Sequence, residues 1–121
     1  MKAADHRARA ERIERSVAKC LPGDWEIRIE AAMLAGTHWA NYALHRRGVS
    51  PADEDIVHTS MCTVNAIRKY SILEADLIRA LSEIEDLRPL HVRGDMPGGE
   101  SAGARSLDLL AAIRRRALEA R

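Results

Sequence analysis

His38, Asn41 and His45 follow one another at steps of three and four residues, the spacing that brings side chains to one face of a helix. Together they could converge on a ligand. Metal binding would need further donors, and His58 and Asp55, which follow after a turn, are the nearest candidates. The HExxH pattern is absent, no carboxylate lies between the two histidines, and nothing in the spacing fixes the distance from helix to turn. No metal and no cofactor is therefore assigned. The candidate polar site is His38, Asn41, His45 and His58, and a histidine bonded to a carbonyl or carboxylate between helices explains each position equally well.

Other chemistry has less support. The stretch Arg93-Gly-Asp-Met-Pro-Gly-Gly-Glu-Ser101 precedes a helix and carries three glycines, but it matches neither phosphate-binding fingerprint, and Glu100 would repel an anion. It reads as a connection. Cys20, Cys62 and the serines lack any pattern that sets a base beside them, so no catalytic residue is assigned. The cysteines also lack CxxC spacing, which excludes a zinc ribbon. The aromatic residues are Trp25, Trp39, Tyr42 and Tyr70, too few for a base-stacking platform, and three of them fall in one helix.

The elements that must position these residues are helical. The chain has 121 residues, 46% hydrophobic and 31% charged, a composition that suits one domain over residues 1–121 and excludes disorder. No apolar stretch approaches the ~20 residues of a membrane span, and the opening residues have no signal-like apolar core. The expected location is the cytoplasm. Ala10, Ile13, Val17 and Cys20 mark a first helix from about Ala3 to Cys20, which Pro22-Gly23 stops. Asp24 is placed to cap a second helix over about Trp25 to Arg47, with Gly48 as its left-handed stop. This helix is apolar on several faces, so it should be central. Ile56 to Tyr70 reads either as loop or, from Val64, as the start of a helix. Ser71 to Glu74 resembles a capping box for a helix marked by Leu73, Leu77, Leu81, Ile84 and Leu87 and ended by Pro89. Ser101 can cap a last helix carrying Leu107, Leu110, Ile113, Ala117 and Leu118. The expected fold is all-α, an antiparallel bundle of four to five helices.

Charge is balanced overall at +1 but unevenly placed. Both termini are basic, whereas Glu74, Asp76, Glu83, Glu85 and Asp86 outweigh Arg79 and Arg88. Such a dipolar chain could attract its own twin or an acidic partner.

The stretch from Glu30 to His58, AAMLAGTHWANYALHRRGVSPADEDIVH after the glutamate, resembles the second helix and following turn of HEPN domains. In that family a small-residue helix with an internal histidine leads through a glycine turn to a proline and a further polar segment. The resemblance implies a four- or five-helix bundle, commonly homodimeric, found beside nucleotidyltransferases, in toxin–antitoxin pairs or as RNA-cleaving domains. The family's nucleases carry an arginine, a polar residue, a short spacer and a histidine. None of His6, His38, His45, His58 or His91 has an arginine five to seven residues before it. The resemblance thus implies a homodimer that binds a protein partner or nucleotide without catalysis. Two other readings stand beside it: a ribonuclease or hydrolase using His38 and His45, and a nucleic-acid-binding bundle whose terminal arginines contact phosphate.

Overall fold

The computed structural model describes residues 1–56, 68–70 and 74–119. Four helices are delimited: α1 (Ala3–Val17), α2 (Trp25–Arg46), α3 (Ala75–His91) and α4 (Gly99–Leu118). Residues 68–70 are helical as well, and no strand occurs among the described residues. The fold is an all-α helical bundle.

Side-chain pairs give the helix directions. His6 near the start of α1 meets His38 and His45 late in α2, while Cys20 beyond the end of α1 accepts a hydrogen bond from Arg28, so these helices run antiparallel. Arg88 binds Glu30 and Arg47 binds Glu74, which sets α3 antiparallel to α2. Glu83 with Arg105 and Glu74 with Arg116 do the same for α3 and α4.

The central position of α2 follows from its composition. It packs against each of the other three helices and buries Ile29, Met33, Trp39 and Leu44 completely. Leu77, Leu81, Ile84 and Ile113 fill the core from the other side. Gly36 lets the helices approach, since a Cβ there would lie 3.2 Å from Ile113 Cδ1 and 3.3 Å from Leu81 Cδ1. Gly99 and Gly103 serve the same purpose at the start of α4, where the Trp25 side chain occupies the space their side chains would need.

Several helix ends differ from the sequence reading. Helix α1 stops at Val17 rather than Cys20, because Lys19 and Cys20 close tight turns onto Ser16 O and Val17 O. Asp24 does not cap α2; its carboxylate turns back to accept the Leu21 N–H at 2.8 Å and so ties the preceding turn. Gly48 does adopt the expected left-handed conformation, with φ of 71°. Pro89 lies inside α3 instead of ending it. It falls in the last turn, where little helix remains to be disrupted, and Val92 and Arg93 both bond Arg88 O at 3.0 Å. Helix α4 begins at Gly99, ahead of Ser101, because the left-handed Gly98 turns the chain and Gly99 must sit against Trp25. The proposed Ser71 cap, Leu73, Val64, His58 and Cys62 lie outside the described residues. Among the described residues, no helix is long and apolar enough to cross a membrane.

Candidate functional site: a histidine–aspartate centre

Helix α1 carries His6 on the same stripe as Ala10 and Val17, and all three are buried. That places an imidazole, 2% exposed, between the late turns of α2. Its Nδ1 lies 2.9 Å from His38 Nδ1 and its Nε2 lies 2.9 Å from Asp55 Oδ1. The same Asp55 oxygen is 2.7 Å from His45 Nε2. Both imidazoles thus converge on one carboxylate oxygen, and the side chains of His6 and His45 are only 2% and 4% exposed.

Asp55 is brought there by Asn41. The Asn41 amide bonds Ile56 twice, donating from Nδ2 to Ile56 O at 2.9 Å and accepting the Ile56 N–H on Oδ1 at 2.7 Å. This clamp pins the chain after the Gly48 turn against α2, so Asn41 positions the site without facing it. His45 is oriented from behind, with Nδ1 2.9 Å from Ser50 Oγ and 3.2 Å from Ser50 O. The N-terminal ammonium occupies Asp55 Oδ2 at 3.0 Å.

The electrostatics follow from this arrangement. Burial alone would raise the Asp55 pKa, but hydrogen bonds from His6, His45 and the N-terminal ammonium outweigh it and hold the carboxyl well below its usual range. His6 is shifted down: burial disfavours its cation more than the hydrogen bond and charge of Asp55 favour it. Neutral His6, with its Nε2 proton given to Asp55, keeps its lone pair on Nδ1, facing His38. His6 Nε2 or Nδ1, one imidazole nitrogen of His45 and an Asp55 oxygen all lie within 4.8 Å of one another.

Of the residues singled out in sequence, His38 and His45 both reach the centre, through His6 and Asp55 respectively. Asn41 sits between them but turns to Ile56. Asp55, considered as a donor from beyond the turn, is the hub. His6 was missed, although its step of four to Ala10 and eleven to Val17 puts it on the buried stripe of α1.

No protein-family model, curated protein or solved structure matches the chain. Its own surfaces therefore carry the functional reading. The acidic run of 74–88 is largely neutralised within the bundle: Glu74 by Arg47 and Arg116, Glu83 by Arg105, and Glu85 by Arg88. Arginines of α1 and α4 do come together around one hollow, but Glu11 and Glu14 line it as well, with Glu14 3.8 Å from Arg114. A different surface is apolar. Along the outer seam of α1 and α2, two adjoining hollows share Ile13, Ile27 and Ala31. Ile27 is 60% exposed, Leu34 extends the strip along α2, and Val17 and Cys20 extend it along α1. Arg12 rims the α1 side, whereas Glu26 and Glu30 rim the α2 side.

Proposed function

We propose that this chain is a non-enzymatic helical domain that pairs with a second copy of itself through the outer α1–α2 seam. The observation that carries the reading is the distribution of charge about the seam: an apolar strip with a basic edge on one helix and an acidic edge on the other. A two-fold axis parallel to the helices lays α1 of each copy over α2 of its partner. Arg12 then approaches Glu26 across the interface twice, while Ile13 and Ile27 lose water together. Apolar burial supplies the affinity, and the charge pattern sets the orientation and disfavours the alternative in which like edges meet. Ala31 leaves room for close approach at the middle of the strip. The HEPN-like stretch from Glu30 to His58 adds the same expectation of pairing.

Light scattering on the purified chain over a micromolar concentration series tests the proposal. A dimer is expected, and Ile27→Glu, a change at an exposed position, should leave the helical spectrum intact and yield a monomer. Arg12→Glu and Glu26→Arg should each weaken the dimer, and the double reversal should restore it. A monomer throughout the series, or a dimer indifferent to Ile27→Glu, would overturn the reading.

A further inference from the structure

We infer that His6, His45 and Asp55 form a binding site for a divalent transition-metal ion of the zinc class. The Nε2 atoms of the two histidines both point at the Asp55 carboxylate, and the three groups come from three separate stretches of chain: α1, α2 and the segment after the Gly48 turn. Two imidazole nitrogens and one carboxylate oxygen are the donor set that borderline divalent ions take up, with further positions left for water or a ligand. Ligand atoms around a tetrahedral ion stand about 3.3 Å apart for bonds of about 2.0 Å. The present separations of 2.9 and 2.7 Å to Asp55 Oδ1 need to open only by roughly half an ångström.

The groups behind the ligands fit the same role. A histidine that binds metal through Nε2 must carry its proton on Nδ1, and that proton needs an acceptor. His6 Nδ1 faces His38 Nδ1 at 2.9 Å, and His45 Nδ1 faces Ser50 Oγ and the Ser50 carbonyl. Ser50 O is an acceptor only, so it can take the Nδ1 proton of His45 once Nε2 is given to the metal. In that form the Nε2 lone pair and the Asp55 carboxylate face each other, and a cation between them removes the repulsion. Metal binding therefore requires the proton of each ring to shift from Nε2, where it faces Asp55, to Nδ1. The amide clamp of Asn41 on Ile56 holds the Asp55 backbone in place.

The site is tested by titrating Zn²⁺ into the metal-stripped full chain by calorimetry, with thermal unfolding as a second readout. One Zn²⁺ per chain and a raised unfolding midpoint are expected. His45→Gln and Asp55→Asn should weaken binding at least tenfold, and His6→Ala should do the same. His91→Ala, which removes a histidine bonded to the Met96 carbonyl and outside the centre, should have no effect. Circular dichroism of each metal-free variant separates lost ligation from lost fold, and Asp55→Asn retains an acceptor oxygen for the histidines. Co²⁺ in place of Zn²⁺ should give the visible absorption of a low-symmetry nitrogen and oxygen site without a thiolate charge-transfer band. Failure of the folded chain to bind Zn²⁺, or binding abolished by Cys20→Ser or Cys62→Ser and indifferent to Asp55→Asn, would overturn the inference.

Discussion

Asn41 holds Ile56 by both ends of one peptide-like pair, giving its Nδ2 proton to the carbonyl and taking the N–H on Oδ1, with all four atoms buried. A side chain of similar size without the amide leaves a buried N–H and a buried C=O with no partner. Asn41→Leu should therefore cost about 2 to 4 kcal/mol, the sum of two unmet backbone groups at about 1 to 3 kcal/mol each less the gain from an added apolar side chain. Urea unfolding measures this. An unchanged midpoint would show that the segment after the turn is held by something else.

Trp25 and Gly103 make the second test. A Cβ at Gly103 would lie 2.9 Å from Trp25 Cβ and 3.1 Å from its Cα, and the backbone of α2 cannot yield as a side-chain tip does. Gly103→Ala gains helix propensity of about 1 kcal/mol, but overpacking costs about 1 to 3 kcal/mol, so net destabilisation is expected. Equilibrium unfolding that shows a more stable variant would mean that α2 and α4 can separate freely at this end.

Leu81 is fully buried beside Gly36, and Leu81→Ala should cost about 2 to 5 kcal/mol in urea unfolding. Arg79→Ala, on the exposed side of the same helix, provides the comparison and should shift stability by no more than about 0.5 kcal/mol. Equal effects of the two substitutions would contradict the assigned face of α3.

The Leu81 face was legible in sequence because it needs only the step of three and four along one helix. The breadth of the apolar surface on α2 likewise gave its central place. Helix ends were less legible, since Asp24 and Ser101 each have a second use or position available: Asp24 bonds Leu21 N, and Ser101 yields the helix start to Gly99 because Trp25 needs the space. For the site, local spacing placed His38 and His45 on one face. It could not reveal that His6, thirty-two residues before His38, reaches the same point, because that contact depends on how α1 packs against α2. Nor could spacing show that Asn41 serves the backbone at Ile56 rather than a ligand.

The stability of the metal-free chain should fall in two steps on acidification. His6 is held neutral below its ordinary pKa in the folded state, so the unfolded chain takes up a proton first as pH falls through about 6.5. Asp55 is held ionised well below its ordinary range, so its contribution is present above about 4 and is lost as pH falls further. Urea midpoints measured in a chelator from pH 8 to pH 3 follow both steps. Asp55→Asn should shrink the lower step, and a wild-type midpoint independent of pH throughout would refute the electrostatic account of the centre.

Nitrogen NMR of the imidazole rings tests the centre most directly, because it reads which nitrogen of His6 and His45 carries the proton. The metal-free chain at neutral pH should show His6 and His45 each with a protonated Nε2 bonded to Asp55. On addition of one equivalent of Zn²⁺, both rings should carry the proton on Nδ1 and show Nε2 shifted as a metal-bound nitrogen, while His91 is unmoved. Resonances of His6 and His45 that stay as they were in the metal-free chain when Zn²⁺ is present in excess would contradict the account.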